Sequence, residues 1–194
     1  MRLYMTRRSS MHSIYSDSEG RALYKVQTPF TLAKGRRWDI SRVRDAATDS
    51  IHQLNSPYTS SSSAYESLAQ IHWRKDTVTL FFGEQRITAD DFFQRGGVYG
   101  RNRTFTGPDG QGYKWILGTI HPQLVRNDEH QTPVAKFHRE HHRMPFIKHR
   151  LAFLDIYPPG EDIVDFVFIT FLYIQKVRQD QLGVLRGRSD DDLE

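Results

Sequence analysis

The stretch Glu161–Arg178 reads EDIVDFVFITFLYIQKVR, and the reading of the whole chain turns on it. Its centre, Ile163–Ile174, holds ten large apolar residues interrupted only by Asp165 and Thr170. As a helix it is apolar on every side, the mark of a segment enclosed by protein rather than lying on a surface. Pro158-Pro159-Gly160 breaks whatever precedes it. Glu161 and Asp162 sit at the positive end of the helix dipole, and Lys176 and Arg178 at the negative end. Ile, Val, Phe and Tyr favour strands, but strands usually run about 4–8 residues, so length predicts a helix. Crossing a membrane takes about 20 apolar residues, and a core of twelve positions with an aspartate inside is too short. A lone buried carboxylate costs several kcal/mol. Asp165 is therefore expected to face a cation, a hydrogen-bond donor or the open end of whatever surrounds the helix.

Composition bounds the rest. The chain has 194 residues, 38% hydrophobic and 12% aromatic, which is enough for one domain with a proper core. No cysteine is present, so a disulfide framework, a thiolate metal site and a cysteine nucleophile are excluded. The opening MRLYMTRRSS carries no apolar signal region, and a soluble, cytoplasmic protein is expected. Net charge is +4 and the sequence pI is about 9.4, a balance that suits phosphoinositides, acidic lipid surfaces or nucleic acid as partners. A plain solvated basic surface has the same balance.

Upstream of the helix, short strand-like runs alternate with turn signals. Met11–Thr28 reads as a hairpin about Asp17-Ser18-Glu19-Gly20, with Ala22, Tyr24 and Val26 on one face of its second strand. Arg36–Val43 places Trp38, Ile40 and Arg42 on one face. The serine run in Asp45–Tyr65 reads as a surface insertion in a single domain of residues 1–180, and residues 181–194 as a polar tail. Leu68–Trp73 and Thr77–Phe82 follow, then Ile87–Phe93, a short strand and a helical turn capped by Thr88. Gly96–Gly100 lacks the Lys-Ser/Thr ending and the preceding apolar strand of a phosphate loop. Tyr113–Ile120, Gln123–Val125, Pro133–His142 and His149–Tyr157 complete the strands. Many strands and then one helix predict an antiparallel β-barrel or sandwich.

Four of these segments carry a resemblance. GRALYKVQTP (Gly20–Pro29), YKWILGTIHPQLV (Tyr113–Val125), PVAKFHREHH (Pro133–His142) and LAFLDIYPPGEDIVDFVFITFLYIQKVR (Leu151–Arg178) resemble the tubby C-terminal-like superfamily, closest to an uncharacterised family common in mushroom-forming fungi. The resemblance implies a mainly β fold, a closed antiparallel β-barrel of about twelve strands around a central hydrophobic C-terminal α-helix. Tubby proteins bind phosphoinositides, so it also implies a phosphoinositide or other acidic lipid headgroup as ligand. Its other members include phospholipid scramblases and plant LURP-one-like proteins. Neither the basic ligand positions of tubby nor the calcium segment of scramblases has a matching motif here.

The densest polar cluster is Lys136–Arg150, KFHREHHRMPFIKHR. If Pro133–His142 is a strand, Val134, Lys136, His138, Glu140 and His142 share one face, and Ala135, Phe137, Arg139 and His141 the other. His138, Glu140 and His142 then stand about 7 Å apart and suit acid–base work or a two-histidine, one-carboxylate metal site. Lys136, Arg139, Arg143, Lys148 and Arg150 suit an anionic ligand or a membrane surface instead. An outward strand of Lys, His and Glu is also ordinary solvated surface. His121 reads as a strand end, Asp155 and Asp165 as salt-bridge acids, and Trp38, Trp73 and Trp115 as core or rim aromatics. Tyr99, Arg101, Arg103 and Phe105 match no nucleic-acid motif. Anion binding is thus the leading expectation, ahead of a small-molecule enzyme built on the His/Glu cluster, with or without metal, and an interaction scaffold; the sequence names no cofactor.

Overall fold

A computed structural model of the chain describes residues 1–7, 9–29, 36–44, 64–118, 121–140 and 151–191, with side chains as far as residue 181 except that of residue 99. Nearly all of the expected serine-rich insertion lies outside the described residues. The chain divides into two compact units, an N-terminal one of Tyr4–Thr88 and a C-terminal one of Met1–Leu3 with Ala89–Glu194. Strand β1 (Arg2–Met5) contributes to both.

In the N-terminal unit β2 (Ser13–Ser16), β3 (Ala22–Gln27), β4 (Arg36–Val43), β5 (Tyr65–Trp73), β6 (Val78–Phe82) and β7 (Gln85–Thr88) form an antiparallel meander. The expected hairpin is there: the Asp17 carboxylate accepts the backbone N–H groups of Glu19 and Arg21 at 2.9 and 3.0 Å and folds the turn between β2 and β3. Alternation buries Tyr24 and Val26, then Trp38 and Ile40, then Ile71 and Leu80. Arg42 shares a register position with Tyr24 but reaches solvent and pairs with Glu66.

The C-terminal unit opens with a single helical turn, α1 (Ala89–Phe92), where Ile87–Phe93 predicts one. A second meander follows: β8 (Gln94–Gly96), β9 (Asn102–Thr106), β10 (Gly112–Ile116), β11 (Gln123–Arg126), β12 (Pro133–His138) and β13 (Phe153–Ile156). Then come α2 (Pro158–Glu161) and the long α3 (Val164–Asp191). All thirteen strands belong to one antiparallel sheet, ordered β7-β6-β5-β4-β3-β2-β1-β13-β12-β11-β10-β9-β8. The order has two ends, and no ladder joins them among the described residues.

The greasy run is a helix, as its length predicts. Every residue from Val167 to Gln175 is buried, more than two turns, so no side of this stretch meets water. Each large apolar side chain removed in this way stabilises the fold by about 1.5–3 kcal/mol. Within the C-terminal unit Phe166 meets Phe92 and Phe105, Phe171 meets Trp115 and Phe137, and Tyr173 stacks on Phe93 at 4.5 Å. The interruption at Thr170 is used: its hydroxyl accepts the indole N–H of Trp115 at 3.1 Å.

Three boundaries differ from the sequence reading. Pro158-Pro159-Gly160 builds a helical turn instead of only breaking one, because proline at the first helical positions has no N–H to lose. Gly160 there packs so close to β12 that a Cβ would lie 2.8 Å from Val134 Cγ1. The helix also continues past Arg178 to Asp191, across a Lys176–Asp180 pair one turn apart. Finally, β10 stops at Ile116, short of Ile120. Gly118 takes φ +54°, and a Cβ there would sit 2.7 Å from the His121 carbonyl oxygen. Among the described residues no helix is long and apolar enough to cross a membrane.

Candidate functional site

The predicted polar cluster starts on β12, and the strand is shorter than its alternation suggests. The ladder with β13 ends at the pair His138–Phe153. Arg139 and Glu140 therefore lie beyond the strand, which corrects the expected run to His142: without a hydrogen-bonded neighbour the extended pattern loses its reason. His142, Arg143, Lys148 and Arg150 lie outside the described residues. A bulge opposite Leu124 and Val125 also shifts Val134, which is buried together with Ala135 and Phe137.

The described members of the cluster then part company. Lys136 is half-buried and stands opposite Asp155, whose carboxylate is paired with Arg2 at 3.1 Å. That bridge to arginine is the arrangement expected for Asp155. His138 lies flat on Phe153, ring centroids 4.5 Å apart and planes within 7°, while the Arg2 guanidinium covers Phe153 at 5.3 Å. The His121 ring is 5.6 Å from that of His138, and His121 Nδ1 and His138 Nε2 are both shielded from solvent. Among the described residues no three His, Asp or Glu side chains converge as metal ligands would.

Arg139 is exposed, one step past the end of β12, and Phe137 on that strand touches Phe171 of α3. Two helical turns after Phe171 comes Arg178, buried to 2% exposure, with its Nε donating to the Gly118 carbonyl oxygen at 3.3 Å. The stretch after β10 and the helix thus bring Arg178 to Gly118, where it also feels the Arg139 charge. Burial lowers the Arg178 pKa to about 10, and the Arg139 charge pushes it the same way. A guanidinium presents a planar fork of donors that matches a carboxylate or phosphate. Arg178 is out of water and feels the charge of Arg139, so an anion that met both would offset the repulsion between them.

Sequence reasoning assigned Arg178 to the helix dipole and missed this role. The available signal was its position seven residues after Phe171, which puts it in line with the buried stripe rather than at a free helix end. Residues 7–180 match the model of a protein family, a span that takes in Gly118, Arg139 and Arg178. The chain belongs to the family of unknown function DUF6593. The DUF6593 match ends two residues beyond Arg178, so the described site lies wholly within the family's extent. No curated protein and no solved structure matches the chain.

Proposed function

We propose that the protein binds an anionic ligand between Arg139 and Arg178, an acidic lipid headgroup of the phosphoinositide kind being the first candidate. The observation that carries this reading is a guanidinium 2% exposed at Arg178 beside the like charge of Arg139. An anion that reaches both guanidiniums offsets the repulsion between them and takes up donors in the geometry that carboxylates and phosphates match. The resemblance to tubby proteins supports the same choice, together with a sheet that closes into a barrel about α3 and a peripheral, cytoplasmic setting. The acid–base or metal-assisted alternative has less behind it, because His138 is packed flat on Phe153 and Glu140 lies off the strand.

Vesicle flotation tests the reading. At low salt the protein is expected to float with phosphoinositide-containing vesicles and not with neutral ones. Arg139→Glu combined with Arg178→Met weakens that binding by about tenfold or more, the scale of a lost hydrogen bond to a charged group. Equal and negligible binding to both vesicle types ends the lipid assignment.

A further inference from the structure

The N-terminal unit carries a second cationic surface, on the side of β4–β7 away from Trp38, Ile71 and Leu80. His72 and Phe81 stand on its two inner strands, β5 and β6, in contact at 4.4 Å with their rings inclined by 45°. His72 Nε2 lies 3.0 Å from the Gln70 amide oxygen, which fixes the ring. Arginines surround this pair. Arg37 is directly across from His72 on β4, and Arg86 is directly across from Phe81 on β7 with its guanidinium 5.9 Å over the ring. Arg74 follows the end of β5 and is exposed, as is Arg86. Burial lowers the His72 pKa, and the charges of Arg37, Arg74 and Arg86 lower it further against the one opposing acid, Asp39. Asp39 is itself bonded to Arg37 at 3.1 Å.

We infer that this face binds single-stranded nucleic acid, with Arg74 and Arg86 on phosphates and the His72–Phe81 pair under the bases. The face of an antiparallel sheet with ring side chains on two neighbouring strands and arginines around them offers what a single strand needs: π-faces for unpaired bases and cations along the backbone. The four strands span about 14 Å at ~4.8 Å per step, wide enough for several nucleotides. A membrane fits less well, since the exposed large hydrophobic residues among those described are Met1, Val98 and Leu151, none of them on this face. Arg86 over Phe81 is an exposed, long side chain that yields its place to a base.

The test is fluorescence anisotropy of the full chain with a labelled oligothymidylate of about 12 nucleotides, the site size being of the order that single-strand platforms cover. A duplex of the same length and vesicles with and without acidic lipid run in parallel. The single strand is expected to bind more tightly than the duplex. Arg74→Glu with Arg86→Glu weakens it about tenfold or more and lowers the slope of log affinity against log salt by ~1.4, at about 0.7 per phosphate contact. Phe81→Leu keeps an apolar side chain in place, removes the π-face and weakens binding by about fivefold or more. No binding of the single strand at low salt overturns the inference, as does equal affinity for duplex, or affinity untouched by the double arginine change. Vesicle binding that disappears with Arg74 and Arg86 makes the face a membrane surface instead, and leaves the Arg139–Arg178 site to be judged by its own variants.

Discussion

Among the described residues of the C-terminal unit two arginines are buried, and they are buried differently. Arg103 on β9 donates through Nη1 to the carbonyl oxygens of Gly100 at 2.5 Å and Asn102 at 2.9 Å. The phenol of Tyr173 lies beside it: burial raises the Tyr173 pKa, and the Arg103 charge draws it back down. Arg178 on α3 donates through Nε to the Gly118 carbonyl oxygen at 3.3 Å, a longer bond to a distant strand end, and feels the like charge of Arg139. The first cation is held by short bonds to the chain that carries it, and closes the loop before β9. The second ties the helix to a strand end sixty residues away and feels the charge of another cation. Burial alone therefore does not mark a site; the manner in which the buried charge is compensated does.

Replacing each arginine by methionine breaks or sharpens this contrast most strongly. Arg103→Met leaves two half-buried carbonyls without their donor, and a loss of about 1–3 kcal/mol in unfolding free energy is expected by urea denaturation. Arg178→Met removes a charge that burial and Arg139 both disfavour and fills the same space with an apolar chain, so stability changes by less than about 1 kcal/mol, or rises. Its loss shows in anion binding instead. Equal destabilisation by the two variants would show that Arg178 is as structural as Arg103.

A third polar group of the same interior gives the next effect. Thr170→Val keeps the shape and removes the hydroxyl that accepts the Trp115 indole N–H, so a buried donor is stranded. A cost of about 1–3 kcal/mol follows, measured by the same denaturation curves. A result near zero would place Trp115 Nε1 with another acceptor. Thr170 would then belong with Arg178 among the groups whose removal the fold tolerates.

These polar groups also show what could be read from the sequence. The helix was legible because ten apolar residues in twelve positions admit few alternatives, and the β2–β3 hairpin because Asp17 and Gly20 carry the turn in their own chemistry. Strands β1 and β8 were not, being three or four residues long and ordered by their neighbours in the ladder rather than by a local pattern of any length. Alternation on β12 misplaced Val134 because a bulge, which leaves no mark in the sequence, shifts the register. Half of the proposed site, Arg139, was named from its basic surroundings. The other half was hidden, since Arg178 meets Gly118 from sixty residues away and only the packing of Phe171 on Phe137 and Trp115 brings the two ends together.

Alkaline pH separates the two kinds of compensation by sign. Tyr113 is a buried phenol that donates to Asp109 Oδ2 at 2.7 Å, and burial, with that bond, raises its pKa to about 12. Its folded-state pKa exceeds the unfolded value near 10, so its contribution is complete below pH ~10 and is lost as pH rises through about 12. Arg178 runs the other way. Its folded pKa of about 10 is below the ordinary guanidinium value, the unfolded chain binds more protons above pH 10, and its contribution to stability grows with pH there. Between pH 10 and 12, Tyr113→Phe should lose stability with pH more slowly than the unaltered protein, and Arg178→Met more quickly, a small difference read from denaturation midpoints. A bound anion adds an opposite charge beside Arg178 and restores its pKa, so the Arg178→Met difference should vanish when the unaltered protein is measured with saturating ligand. If that difference persists unchanged, the anion sits elsewhere.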